Sequence, residues 1–142
     1  MDWVMDCYAA SALFLPDESS VKVKSFLGSL PGNYSLWVPA LWWHEMTNVL
    51  LVAERQGRLN RLEIPKIILL FGQFNLNTDH SHGVKFSSRI YELASTYQLT
   101  AYDTTYLELA MRKEARLISL NRQLLSAAQK AGVEVFISSC LP

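Results

Sequence analysis

Residues 116–137 read RLISLNRQLLSAAQKAGVEVFI. Arg116 to Leu120 predicts a strand around the apolar pair Leu117-Ile118. Arg122 to Ala131 predicts a helix, closed by Gly132. Val133 to Ile137 is a further β run, rich in branched and aromatic residues. The polar residue at the first junction is Asn121, with Ser119 two positions before it on the same side of the strand.

The same alternation extends backwards. Trp3-Val4-Met5 is a short apolar run ending at Asp6, followed by a helical stretch from Ala9 to Leu15 that stops near Pro16-Asp17. Val21 to Leu30 reads as a second amphipathic helix, closed by Pro31-Gly32. Ser35 to Val38 is a candidate strand. Pro39 suits the first turn of the helix that follows, where its missing N–H costs nothing, and that helix runs to about Gln56 before Gly57. Further helices are expected over Arg61–Phe71, Gly83–Tyr97 and Tyr102–Lys113, with Phe74–Thr78 as a strand between the first two. Val84, Ile90, Leu93 and Ala94 are available for burial on the second. The order predicts an α/β fold in three layers: a mostly parallel sheet of 4–5 strands with helices on both faces. In such sheets ligands bind beyond the carboxyl ends of the strands.

Composition sets the frame. The chain has 142 residues, the size of one domain, expected over 1–142. Half the residues are hydrophobic and 18% are charged, which excludes a disordered chain. Lys plus Arg equals Asp plus Glu, 13 each, so any nucleic-acid contact is expected to be a local patch. Cys7 and Cys140 make no CxxC motif, so neither a disulfide scaffold nor a zinc site is expected, and a reduced cytoplasmic setting follows. The apolar run Ala9–Pro16 lacks upstream Lys or Arg and follows Asp2 and Asp6, unlike a signal peptide. No apolar stretch is long enough to predict a membrane span.

Four polar residues stand in unusual places. Asp6 ends the first strand; its plain alternative is a helix N-cap. Glu45 shares a predicted helical stripe with Leu41, Asn48 and Val52, where an unpaired carboxylate costs several kcal/mol. A buried salt bridge is its alternative to a metal or catalytic role, with Asn48 as a hydrogen-bonding neighbour. Asp103 opens a helix whose apolar face is Tyr106, Leu107, Ala110 and Met111, and it too has an N-cap alternative. Asn121 has the same alternative in neutral form. Parallel strands would gather Asp6, Asp103 and Asn121 at one sheet end, with Glu45 added by a neighbouring helix. Carboxylates about 5 Å apart repel by roughly 3 kcal/mol per pair at an effective dielectric of 20, so a proton or a cation is expected among them. Oxygen donors select a hard ion, Mg²⁺ or Mn²⁺. His44, His80 and His82 form no softer site by spacing, and His44 points about 100° away from Glu45 on the helix.

Three blocks in this order resemble the PIN-domain family, in particular the VapC-like toxins of toxin–antitoxin pairs. The first is Val4-Met5-Asp6 with Ala12-Leu13 and Pro16-Asp17-Glu18. The second is Val38 to Glu45 (VPALWWHE) followed by Asn48-Val49-Leu50. The third is Leu99 to Ala110 (LTAYDTTYLELA) leading to Leu117 to Leu124 (LISLNRQL). The resemblance implies a Mg²⁺- or Mn²⁺-dependent ribonuclease acting on single-stranded RNA. Its acids fall on Asp6, Glu45 and Asp103, its fourth position on Asn121, and its supporting hydroxyl on Ser119. It also implies a homodimer and an antitoxin protein partner; of the adjacent Trp42 and Trp43, one is available to an interface. Two positions depart from the pattern: Asn121 replaces an acid, and Tyr8 stands where Ser or Thr is usual. Candidate phosphate contacts are Arg112, Lys113, Arg116 and Arg122, each with a solvated helix face as the alternative. An aspartyl phosphatase with Asp6 as nucleophile lacks its second Asp, because that position holds Tyr8. A catalytically weak PIN domain that only binds RNA or a partner is the more substantial rival, motivated by Asn121.

Overall fold

The computed structural model describes residues 1–16 and 21–136. The elements are β1 (Asp2–Met5), α1 (Cys7–Phe14), α2 (Val21–Ser29), β2 (Ser35–Pro39), α3 (Ala40–Arg55), α4 (Ile64–Phe71), β3 (Asn77–Asp79), α5 (Val84–Tyr97), α6 (Ala101–Arg112), β4 (Arg116–Ile118), α7 (Arg122–Lys130) and β5 (Val135–Phe136). The five strands form one parallel sheet in the order β3-β2-β1-β4-β5. The α/β three-layer reading therefore holds.

Side-chain alternation along β1 shows the two faces. Trp3 meets Phe26 of α2 at 5.2 Å between ring centroids. Val4 points the opposite way and pairs in register with Trp37, whose ring carries Lys113 from the end of α6 at 3.9 Å. So α2 and α6 lie on opposite sides of the sheet. The centre of the sheet is dry: Val4, Met5, Leu117 and Ile118 are fully buried.

The chain runs outward from β1 through β2 to β3, then crosses back to lay β4 and β5 on the other side of β1. The strand order reverses between β1 and β4. That reversal opens a crevice at the carboxyl ends of these two strands. Asp6 sits there, its backbone N–H donating to the Ile118 carbonyl at 3.1 Å.

Several expected boundaries move for local reasons. Pro39 ends β2 and caps α3 instead of entering its first turn. The helix expected from Arg61 starts at Ile64, because Asn60 and Glu63 close a turn first. The Asn60 side chain accepts the Leu62 and Glu63 N–H groups, and Glu63 accepts the Asn60 N–H in return. The strand expected at Phe74–Thr78 is displaced to Asn77–Asp79, because Gly72–Phe74 forms a 3₁₀ turn ended by a left-handed Asn75. The helix expected from Tyr102 begins at Ala101, capped by Thr100. Val84 is 85% exposed rather than buried, while Ile90 reaches the core. The β run expected to reach Leu120 ends at Ile118, and the one expected from Val133 starts at Val135; its expected end, Ile137, lies outside the described residues, as do Asp17, Glu18 and Cys140. No described helix is long and apolar enough to cross a membrane.

Candidate active site

Asp6 is 1% exposed at the end of β1. Its Oδ1 accepts the Ala9 N–H at 2.9 Å, so it does cap α1. Its Oδ2 accepts the Ser119 hydroxyl. Ser119 is itself held by β4: its Oγ accepts the Asn121 N–H at 2.9 Å. The N-cap alternative and a functional role thus coexist at Asp6, because one oxygen serves the helix and the other faces Ser119.

Asp103 is not an N-cap. Thr100 takes that place and accepts the Asp103 N–H at 3.1 Å, which leaves the Asp103 carboxylate to point elsewhere. Asn121 donates its Nδ2–H to Asp103 Oδ2 at 3.2 Å. The Asn121 Oδ1 accepts the Gln123 and Leu124 N–H groups at 3.1 and 3.4 Å. The neutral cap expected as the alternative for Asn121 is present, and it directs the amide nitrogen, not the oxygen, toward the acids.

Glu45 comes in from α3, though not by the stripe the sequence suggested. The core face of α3 is Trp42, Met46, Leu50 and Ala53. Leu41 is only partly buried, and Asn48 and Val52 are exposed. Glu45 therefore lies at the edge of the buried face, half-buried. Its partner is Tyr106 of α6, whose hydroxyl donates to Glu45 Oε1 at 2.5 Å. Cys7 also hydrogen-bonds Glu45.

The electrostatics tie these groups together. Burial raises the Asp6 carboxyl to about 7, against the pull of its hydrogen bonds from Ala9 and Ser119, with the charges of Asp103 and Glu45 adding to the rise. Burial also raises Glu45, opposed by the Tyr106 hydroxyl and reinforced by Asp103. Burial and the neighbouring carboxylates push the Cys7 thiol and the Tyr106 phenol far up, so both stay protonated as donors. Asp6, Glu45 and Asp103 thus share one field, and among the described residues none of the three forms a salt bridge.

A hard divalent cation suits that chemistry, since every available donor is an oxygen and the missing component is positive charge. As they stand, no three His, Cys, Asp or Glu side chains among the described residues form a ready metal-binding group. Ser119, Tyr106 and Asn121 each hold one of the three carboxylates. Asp6, Glu45 and Asp103 are the residues able to turn onto an ion, with Asn121 orienting Asp103.

The expected phosphate contacts divide. Arg112 is committed, forking onto Asp79 at 3.0 and 2.9 Å and bonding Glu108 at 2.8 Å. Lys113 covers the Trp37 ring. Arg116 pairs with Glu134 at 2.7 Å and begins β4, the end remote from Asp6. Arg122 alone of the four is exposed next to the site, directly after Asn121. His44 is exposed. Of the two tryptophans, Trp42 is buried while Trp43 is partly exposed, donating its indole N–H to Thr78 at 3.0 Å. Sequence reasoning missed Cys7 and Tyr106 as partners of Glu45. Tyr106 read as an apolar face residue, and nothing along the chain pointed it across 61 positions to Glu45.

The chain is similar to known proteins over most of its length. It is 28% identical over 125 residues to Ribonuclease VapC3 of Pyrobaculum aerophilum, covering 87% of this chain and 92% of that one. In structure it is similar to PAE2754 from Pyrobaculum aerophilum, with a TM-score of 0.68 and 19% identity over 95% of this chain and 89% of that one. It is also similar to VapBC2 from Rickettsia felis, solved bound to a DNA fragment from its promoter, with a TM-score of 0.66 and 12% identity over 96% and 98% of the two chains. No protein-family profile matches the sequence.

Proposed function

We propose that this chain, similar to Ribonuclease VapC3 over most of its length, is a VapC-like PIN-domain protein and a metal-dependent endoribonuclease, the toxin of a toxin–antitoxin pair. One observation carries the reading. Three carboxylates, Asp6 after β1, Glu45 from α3 and Asp103 from α6, act on one another's ionisation at the sheet's switch point. The kinship to Ribonuclease VapC3 supports RNA as the substrate.

Bound Mg²⁺ or Mn²⁺ supplies Lewis acidity at the phosphoryl oxygens and a water acidic enough to attack at neutral pH. The chain's own residues prepare for it. Asp6, Glu45 and Asp103 provide the anionic oxygens. Ser119 and the Ala9 N–H fix the Asp6 plane, Tyr106 fixes Glu45, and Asn121 fixes Asp103. Asp6 must lose its proton to take part, so its raised pKa couples metal uptake to pH. Arg122 is positioned to meet a phosphate at the rim.

The partner proteins are part of the proposal. An antitoxin is expected to cover the acidic crevice, and a second copy of the chain to form a homodimer, in a cytoplasmic setting. Solved VapBC and FitAB assemblies among the similar folds support the antitoxin.

The test is cleavage of end-labelled single-stranded RNA with Mn²⁺ or Mg²⁺, compared with EDTA and with Asp6→Asn. Cleavage that needs the metal and disappears in the variant is the expected result. A second reading, a PIN domain that binds RNA or a partner without cutting, is favoured by Asn121, whose oxygen is committed to α7. Intact RNA under every metal condition, together with tight RNA or partner binding, would select it.

A further inference from the structure

Beside Glu45 lies a cavity of about 420 Å³ that the proposed cleavage chemistry does not use. Of the three acids, Glu45 alone lines it, together with Cys7 and Ser11 of α1. Tyr8, Asn48, Val49, Val52 and Arg58 supply the rest of what matters. Tyr8 comes from the first turn of α1, Asn48, Val49 and Val52 from α3, and Arg58 from the turn after α3.

The chemistry of this lining is unlike that of the acids. Tyr8 is 52% exposed, a large aromatic face left in solvent at the mouth of a polar site. Its phenol lies within electrostatic reach of Asp103, Asp6 and Glu45. Val49 and Val52 give an apolar floor. Asn48 offers both an amide donor and a carbonyl acceptor, and Arg58, which hydrogen-bonds Gln56 at 3.5 Å, adds a positive charge at the border. An aromatic platform, an apolar floor and a few donors and acceptors are what an unpaired nucleobase needs. Phosphate alone would need none of the aromatic or apolar surface.

We propose that this cavity binds one unstacked base of a single-stranded RNA, the base beside the scissile phosphate, with Tyr8 as its stacking platform and Asn48 reading its edge. The proposal rests on the ribonuclease reading for its substrate. It gives the departure at position 8 a role: where Ser or Thr would leave the mouth open, Tyr8 supplies a stacking face. Tyr8 and Asn48 are then specificity residues, and the acids remain the catalytic ones.

The experiment measures binding of labelled ten-nucleotide single-stranded RNAs by fluorescence anisotropy in EDTA, with a single abasic nucleotide walked along the strand. Wild type is expected to lose roughly 5- to 100-fold in affinity at one position, the range that base–aromatic stacking supplies. Tyr8→Ala should flatten that profile, and Tyr8→Phe should keep it. Val52→Trp, which fills the cavity without altering Tyr8, should flatten it as well. A wild-type profile already flat, or one unchanged in both Tyr8→Ala and Val52→Trp, overturns the proposal, as does failure of every RNA to bind. Parallel assays in Mn²⁺ separate the two readings. Cleavage with a flat abasic profile rejects the base site and leaves the nuclease. A position-specific profile without cleavage rejects the nuclease and leaves the base site.

Discussion

Asn121 holds Asp103 through its side-chain nitrogen, 3.2 Å from Oδ2, while its oxygen accepts the first N–H groups of α7. The amide thus joins a helix cap to a site acid. Asn121→Ala removes both contacts and should cost about 1 kcal/mol, the usual worth of an N-cap. Asn121→Asp keeps the cap acceptor but replaces the donor to Asp103 with a second negative charge. That variant should melt lower than wild type in EDTA and gain more from added Mn²⁺. Melting curves with and without the ion check this; an equal Mn²⁺ shift in the two proteins would count against a cation at these acids.

Asp6 makes stability depend on pH. Its folded pKa, about 7, is above the ordinary carboxylate value, so the folded state binds the proton more tightly than the unfolded one. Between about pH 4 and pH 7 the unfolded chain has lost that proton while the folded chain keeps it. Stability is therefore full below the unfolded pKa, falls as pH rises through this window, and levels off above it. The loss is on the order of a few kcal/mol. Urea unfolding in EDTA at pH 5 to 8 should show this fall, and Asp6→Asn should remove most of it.

Tyr106→Phe deletes one hydroxyl, the donor to Glu45. That hydrogen bond lowers the Glu45 pKa, so without it Glu45 stays protonated to higher pH. The acid limb of the RNA-cleavage profile should move to higher pH, with stability reduced by about 1 kcal/mol. An unmoved limb would mean that Glu45 ionisation does not govern the rate.

Glu108, 1% exposed, depends on two arginines, Arg112 at 2.8 Å and Arg89 at 3.2 Å. Arg112 also ties β3 to α6 through Asp79, whose carboxyl it holds below the usual range despite partial burial. Arg112→Ala strands a buried carboxylate and should cost about 3 kcal/mol, the low end for breaking a buried pair, since Arg89 remains. Arg112→Lys should recover little, because an ammonium cannot fork onto Asp79. Urea unfolding reads both, and a Glu108→Gln background should shrink the Arg112→Ala cost.

Much of this arrangement is visible along the chain, and the parts that are not have specific causes. The strand ends at Asp6 and Asn121 stand out because an apolar run stops at a polar residue before a helix. β3 does not stand out, because an edge strand reading Asn77-Thr78-Asp79 has no apolar signal; Asn77 is held partly by its side chain on the Leu36 carbonyl. On α3 two neighbouring stripes both carry apolar residues. Periodicity alone favoured Leu41 and Val52, whereas packing of Trp42 against Phe14 and Phe71 turns the helix so that Met46 and Leu50 face inward.

Local order and residue type were enough to assign the parallel α/β plan and the candidate acids at positions 6, 45 and 103. The plan follows from interactions a few residues long, strand runs, helix periods and caps, whereas the substitution at 121 is visible only through the family resemblance. Which atom of each side chain faces which partner was decided only in three dimensions. Ser119 meets Asp6 across 113 positions, Tyr106 meets Glu45 across 61, and Arg112 meets Asp79 across 33. Such contacts depend on how helices rotate and strands register to bury the core, and burial is also what raises the Asp6 carboxyl to about 7.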